Sequence, residues 1–191
     1  QIDNRERGFS YKAEGPLDLR LNSQAGISAA QRLKELDKES LAGMLVENAD
    51  EPYAEEIARQ IYNTLHKKKK PIDTTTALHE QIAEALAKDR KMLVKKSSAR
   101  VFQALRIDVN HEYEVLYEFM EKLPEALRTG GRAAILTFHS GEDRIVKKAF
   151  QAFHRAGIYS DVAKEVIKPS REECFRNSRA HSTKLRWAIK A

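Results

Sequence analysis

An apolar run between a pair of glycines and a polar turn constrains the fold of this chain more than any other feature. Residues 133–138, Ala-Ala-Ile-Leu-Thr-Phe, follow Gly130-Gly131 and end abruptly at His139-Ser140. A nearly unbroken apolar stretch of this length, bounded by turn residues, is typical of a strand buried on both faces in a parallel sheet. The run is far too short to span a membrane. The sequence therefore predicts a buried strand over residues 132–138 in an α/β fold.

A helix is predicted directly after this strand. Ser140 has the character of an N-cap, and Glu142 and Asp143 stand in the first turn, where carboxylates interact favourably with the helix dipole. Apolar side chains recur at helical spacing until Gly157, where a C-cap is expected. His139 therefore lies at the carboxyl end of the strand, the edge at which open α/β sheets bind ligands. A purely structural turn explains the pattern equally well, and no nucleophile elbow or third triad member supports a hydrolase.

Helical periodicity dominates residues 27–96 and contrasts with the segments on either side. Ser28, Asp37 and Thr74 precede apolar stripes and have the character of N-caps. These signals predict a small all-helical subdomain. Residues 1–26 fit neither the helical nor the strand period and are interpreted as a connecting segment.

Residues 97–191 return to a mixed pattern. One long helical stripe runs from Phe102 to Leu123, followed by the buried strand and its helix. Alternating polar and apolar residues over about 183–190 predict a final strand. Helix, strand and helix in this order are typical of a doubly wound sheet.

Composition favours a polyanionic partner and offers little for catalysis. The formal net charge is +6 and the isoelectric point is near 9.3, values that suit binding to nucleic acid. Cys174, the only cysteine, excludes an internal disulfide and suits a reducing compartment such as the cytoplasm. The six scattered histidines have no zinc-site spacing, so no metal site is predicted. The eight glycines form neither a Gly-x-Gly-x-x-Gly nor a Walker loop.

Cationic side chains are the remaining signal, because they recur in polar stretches that also carry glycine or serine, as a phosphate-backbone site requires. A lysine run at residues 67–70 suits a solvated helix end better than a phosphate site. The recurring cations are Arg5, Arg7, Arg20, Arg106, Arg144, Arg179, Lys184 and Arg186.

Several sequence blocks, in order along essentially the whole chain, resemble one protein family. They are Gln1-Ile-Asp, Arg7-Gly-Phe-Ser10, Gly15-Pro-Leu-Asp-Leu-Arg20, Thr75-Thr76, Phe102-Gln-Ala-Leu-Arg-Ile107 with Asn110, Phe138-His-Ser with Glu142-Asp-Arg-Ile-Val-Lys147, and residues 177–186. The chain resembles the bacterial MraW-type family, the small-subunit (16S) ribosomal RNA (cytosine-N4) methyltransferases that use S-adenosyl-L-methionine. Departures include Gly141, where the family usually has leucine. That exchange is expected to loosen the helix start.

The resemblance implies a partial class I, Rossmann-like methyltransferase domain formed by residues 97–191 and interrupted by the helical substrate-side insertion at 27–96. Residues 1–26 then connect the two at the edge that meets cofactor and substrate. In the family, the glycine-rich cofactor loop and the acidic ribose-binding residue precede the stretch that matches this chain, and Gln1 matches a cofactor-contacting glutamine. We therefore expect the chain alone to be inactive. Its uncovered sheet edges would favour self-association or dependence on the remainder of the domain.

The implied reaction is methyl transfer to the exocyclic amine of a cytosine in ribosomal RNA of the small subunit, a step of ribosome biogenesis. The base is expected to leave its stack, and alignment supplies most of the catalysis. Positioning candidates are Asp18, His139 and Glu142, and no general base is assigned. The alternative is a non-catalytic RNA-binding module that has lost the cofactor half. Candidates for contacts to RNA phosphates are Arg20, Arg106, Arg144, Lys147, Arg179, Lys184 and Arg186.

Overall fold

The structure, a computed structural model, describes residue 9, residues 14–87 and residues 90–191, and it divides the chain into two compact units. The helical unit extends to Glu112, and the sheet unit comprises Tyr113–Ala191. The helical unit contains α1 (Ala29–Glu35), α2 (Lys38–Ala49), α3 (Ala54–Tyr62) with a π-helical turn (Asn63–Lys67), α4 (Thr75–Ala85) and α5 (Lys91–Asn110). From the boundary onward follow α6 (Glu112–Ala126), β1 (Arg132–Thr137), α7 (Ser140–Arg155), β2 (Tyr159–Val162), α8 (Arg171–Arg176), a 3-10 turn (Ser178–Ser182) and β3 (Lys184–Lys190).

The helical unit confirms the caps and the helical character predicted for residues 27–96. The side chains of Ser28, Asp37 and Thr74 each accept a hydrogen bond from the backbone N–H three residues later, at 3.2, 2.7 and 3.1 Å. An isolated bridge between Pro16 and Thr74 is the nearest approach to sheet pairing, and no strand forms among the described residues of this stretch. No helix in the described part of the chain is long and apolar enough to cross a membrane.

The boundary between the units differs from the prediction at 96/97. The long stripe from Phe102 to Leu123 is divided between α5 and α6, because the backbone at His111 turns into the left-handed region (φ 51°). Val101, Phe102 and Leu105 of α5 are buried in the core of the helical unit. The boundary therefore lies at residue 112. Periodicity missed the turn because the apolar stripe continues across it and neither glycine nor proline marks it.

Three strands form a sheet in the order β1-β3-β2, with β3 antiparallel to both neighbours. The register runs from Arg132 opposite Ile189 to Thr137 opposite Lys184. The mixed helix-and-strand class and the final strand are confirmed, and the strand next to β1 in the described sheet is antiparallel to it, although an apolar run of this kind is typical of parallel sheets. β1 and β2 do run parallel to each other and are joined through α7, with β3 inserted between them. An apolar run reports burial and carries no information about the direction of a neighbour.

Burial on both faces of β1 is also not observed in the described structure. Ala133 and Thr137 are buried, whereas Ala134 and Leu136 on the opposite face are exposed. The covered face belongs to a core that includes Met120 of α6, Val146 and Phe150 of α7, Tyr159 of β2 and Ala188 of β3. The sequence pattern indicated apolar side chains on both faces, and elements of this unit cover one of them.

Candidate functional site

The turn from β1 into α7 is capped by a histidine. His139 is the N-cap in extended backbone conformation, and its Nδ1 accepts a hydrogen bond from the Glu142 N–H at 3.4 Å. Ser140, the predicted cap, is instead the first helical residue and is exposed. Serine is the commoner cap, so sequence preference pointed one residue too far. At the other end, Gly157 follows the last turn with φ +75°, as predicted.

Glu142 folds back over this cap. Its Oε2 accepts a hydrogen bond from the Phe138 N–H at 2.8 Å, and its Oε1 lies 3.4 Å from His139 Nε2. Burial acts to raise the pKa of Glu142, but the nearby His139 side chain and the hydrogen bond from the Phe138 N–H outweigh it, so the pKa lies below its ordinary value. Because Nδ1 accepts, the neutral imidazole carries its proton on Nε2, the atom nearer the carboxylate. We call His139 and Glu142 the strand-end bracket, since together they hold the backbone where β1 ends.

A second carboxylate on α7, that of Asp143, is paired with basic side chains of β3. Asp143 accepts hydrogen bonds from Arg186 Nε at 2.7 Å and Nη2 at 3.1 Å, and Lys184 Nζ lies 3.8 Å away. Burial again acts to raise the pKa of Asp143, but Arg186, Lys184 and Lys147 together outweigh it and lower the pKa. Arg186 is 7% exposed. Two donors of Arg186 are bound to Asp143 and its side chain is buried, which weakens its case as a contact to an RNA phosphate.

Gly141 permits close approach of an aromatic ring. A Cβ at this position would lie 2.8 Å from Tyr113 Cζ, nearer still to the Tyr113 hydroxyl, and 3.2 Å from His139 Nδ1. The rings of Tyr113 and His139 are 6.1 Å apart. The expectation that Gly141 loosens the helix start is thus not supported, since its missing side chain is the space in which Tyr113 packs.

In the helical unit, Asp18 and Arg20 form an ion pair within one turn of the chain. Asp18 accepts hydrogen bonds from Arg20 Nε at 2.5 Å and Nη2 at 3.0 Å, and Arg20 Nη1 donates to the Gly26 carbonyl at 3.0 Å. The hydrogen bond with Asp18 raises the pKa of Arg20. Leu17 and Leu19 are 1% exposed, so the alternating Leu-Asp-Leu-Arg sequence anchors this segment and closes a loop.

Asn110 at the end of α5 holds the same loop. Its Nδ2 donates to the carbonyls of Leu19 and Arg106, both at 2.8 Å, and its Oδ1 accepts from the Leu21 N–H at 2.7 Å. Arg106 donates two hydrogen bonds to Glu112, at 2.8 and 3.0 Å. Arg20 and Arg106 are therefore both half-buried and joined to carboxylates. This weakens their case as phosphate contacts.

The predicted site residues fall into separate groups. His139 and Glu142 are brought together in the sheet unit, whereas Asp18 lies in the helical unit, and Gln1 lies outside the described residues. Sequence reasoning missed Asp143 as an ion-pair partner and Tyr113 as the ring over the turn. Gly141, a glycine in the first turn of a helix, was the available hint to Tyr113. The exposed or partly exposed predicted cations of the sheet unit are Arg144, Lys147, Arg179 and Lys184.

Comparison with known proteins gives matches that extend over the whole length of this chain. The model of the MraW methylase family matches residues 1–191. The chain is 62% identical over 195 residues to "Ribosomal RNA small subunit methyltransferase H 1" of Agathobacter rectalis, and the match covers 100% of this chain and 56% of that protein. It is 60% identical to the protein of the same name from Lachnoclostridium phytofermentans, covering 100% of this chain and 53% of the relative.

The match to a third relative follows the same pattern. "Ribosomal RNA small subunit methyltransferase H 2" of Alkaliphilus metalliredigens is 60% identical, over 100% of this chain and 56% of that protein. The chain thus spans about half the length of these curated relatives. Because the family model matches every residue, the chain belongs to the MraW methylase family.

Proposed function

We propose that this chain forms part of an S-adenosyl-L-methionine-dependent methyltransferase that modifies the N4 amine of a cytidine in small-subunit ribosomal RNA. The observation that carries the proposal is about 60% identity, along the entire chain, to proteins named as ribosomal RNA small subunit methyltransferases. The partial Rossmann-like class is proposed with it. In its support, β1 and β2 run parallel to each other and are joined through the helix α7.

The described residues do not fit the cofactor by themselves. A nucleoside cofactor is commonly held by a glycine-rich turn and by a carboxylate on its ribose hydroxyls. Glu142 is bound to the Phe138 N–H, and Asp143 is bound to Arg186, so neither of these carboxylates at the strand edge is open. We therefore assign no step through the cofactor to the described residues. Gln1 remains proposed as a contact to it.

The proposed work of this chain is positioning. The amine of cytosine is weakly nucleophilic because its lone pair is delocalised into the ring, so catalysis depends on alignment. The strand-end bracket would hold the backbone of Phe138 rigid at the edge where ligands enter α/β sheets. The Asp18–Arg20 turn, fixed by Asn110, would hold a second rigid loop. No general base is assigned.

The proposed RNA surface of the sheet unit retains the cations that are at least partly exposed. Lys184 approaches Asp143 only to 3.8 Å, so it is weakly held there. Contacts of this kind neutralise phosphates without reading sequence, and they position the RNA. Self-association is proposed through the exposed face of β1, which carries Leu136 at 55% exposure. The retained cations are Arg144, Lys147, Arg179 and Lys184.

Nucleoside mass spectrometry on ribosomal RNA tests the proposed activity. Deleting the coding sequence of the whole proposed methyltransferase should remove N4-methylcytidine from one small-subunit position, and restoring that whole wild-type coding sequence should return it. A Glu142→Ala variant should return less, because the bracket would be lost. Unchanged N4-methylcytidine in the deletion strain would favour the non-catalytic RNA-binding module instead.

A further inference from the structure

Phe175 is the most exposed large apolar side chain in the described part of the chain. It lies on the short helix α8 with 92% of its surface open to solvent, whereas the next most exposed, Met92, is at 65%. No residue of α8 is buried. The helix is instead held by its Ser170 cap, at 3.0 Å from the Glu173 N–H, and by an ion pair between Arg176 and Glu172 at 2.6 Å. Phe175 therefore contributes little to folding of its own helix.

The surroundings of Phe175 are cationic and concave. A shallow cleft of about 570 Å³ adjoins the ring. The segment from Lys168 to Lys184 contains five lysine or arginine residues and two glutamates, so it carries a clear excess of positive charge. The cleft is lined by Pro169, Arg171, Cys174, Phe175, Ser178 and His181.

We infer that Phe175 is a stacking platform for an unpaired base of RNA, with Arg171 of the same cleft as a phosphate contact. The inference deepens the proposed function and rests on its RNA substrate. An exposed ring presents a face on which any base stacks, and neighbouring cations neutralise the backbone that carries the base. A surface that binds another protein typically has a continuous apolar patch. Here arginine, serine and histidine surround the ring, so an RNA base is the better-fitting partner.

Binding of the 191-residue chain to two RNA probes tests the inference. One probe is a single-stranded oligonucleotide carrying 2-aminopurine, whose emission changes on stacking, and the other is the same sequence fully paired. The variants are Phe175→Ala and Phe175→Trp. Tyr117→Ala is a matched control, because Tyr117 is an aromatic side chain of the same unit at 55% exposure. Urea unfolding midpoints verify that each variant is folded.

We expect Phe175→Ala to weaken binding of the single strand roughly 5- to 100-fold and to abolish the emission change. Phe175→Trp should retain both, and Tyr117→Ala should match wild type. The salt dependence of binding should be the same for Phe175→Ala and wild type, because stacking releases no counterions. Binding of the paired probe should not change.

Two outcomes would overturn the stacking role while leaving RNA binding intact: an unchanged affinity of Phe175→Ala for the single strand, or an equal loss on the paired probe. Analytical sedimentation of wild type and Phe175→Ala gives a further test. If the variant changed the oligomeric state but not RNA binding, Phe175 would be assigned to a contact between two copies of the chain, and the stacking role would also be overturned. If wild type bound neither probe, the RNA-binding part of the proposed function would fail together with the inference.

Discussion

Arg186 on β3 and Asp143 on α7, 43 residues apart, share two hydrogen bonds at 2.7 and 3.1 Å while their side chains are 8% and 13% exposed. This buried pair ties the last strand to the helix that follows the candidate turn. Arg186→Ala should lower the free energy of unfolding by about 3 kcal/mol, because it leaves a buried carboxylate without its main partner. Urea denaturation measures this. Lys184→Ala is the control and should cost much less, since Lys184 lies 3.8 Å from the same carboxylate.

The contradicting result for Arg186→Ala would be unchanged stability together with a slope of log RNA affinity against log salt reduced by about 0.7–0.9. That result would return Arg186 to the RNA surface.

The same carboxylate predicts a pH dependence of stability. The folded-state pKa of Asp143 is lowered, so its contribution is present above the unfolded pKa, about 3.9, and is lost as pH falls through the folded value. The folded-state pKa of Glu142 is also lowered, so its contribution to stability is likewise lost as the pH falls. Stability of wild type should therefore fall progressively below about pH 5. Asp143→Asn should be less stable at pH 7 and should fall less steeply in acid. The measurement is the urea unfolding midpoint of both proteins at several pH values between neutral and acid. If the two curves of stability against pH ran parallel, the prediction would be contradicted.

Gly141→Ala should destabilise the sheet unit by about 1 kcal/mol, the low end for overpacking, because its Cβ would push aside the outer end of the half-buried Tyr113 side chain. In a double-mutant cycle, Tyr113→Ala should remove most of that cost. Gly43→Ala is the matched control. A Cβ at Gly43, within α2, meets no atom within 4 Å, so this change should stabilise by roughly 0.5–1 kcal/mol. Additive effects at positions 141 and 113 would show that the two do not touch in solution.

The 191-residue chain alone should neither bind S-adenosyl-L-methionine tightly nor methylate RNA. Micromolar binding needs roughly 8 kcal/mol, and one or two hydrogen bonds from Gln1 would supply about 0.5–1.5 kcal/mol each. Calorimetric titration, followed by methyl transfer to small ribosomal subunits, measures both activities. Saturable binding tighter than about 10 micromolar, or any turnover, would mean that residues of this chain form the cofactor site.

Replacing Arg144, Lys147 or Arg179 by alanine should each reduce the slope of log affinity against log salt by about 0.7–0.9, the amount for one released counterion. Arg106→Ala is the contrasting variant. Because Arg106 is bound to Glu112, its replacement should change the slope less. The measurement is RNA affinity at several salt concentrations. If all four variants gave equal slopes, the distinction between the exposed cations and the half-buried Arg106 would be removed.

Local chemistry determined the elements of this protein. Ser28, Asp37, Thr74 and Ser170 cap helices because a short polar side chain satisfies the first free N–H groups whatever lies around it. The strand over 132–137 and the final strand over 184–190 also followed from residue patterns, since burial imposes a period of two or an apolar run.

Tertiary structure alone decided how these elements combine. Insertion of β3 between β1 and β2, and the change of unit at residue 112, depend on packing between distant segments. The partners of Arg186 and Gly141 were hidden for the same reason. Asp143 lies 43 residues before Arg186, and Tyr113 lies on another helix from Gly141. An arginine in sequence looks the same whether it faces phosphate or a buried carboxylate, and the folded neighbourhood determines which role it has.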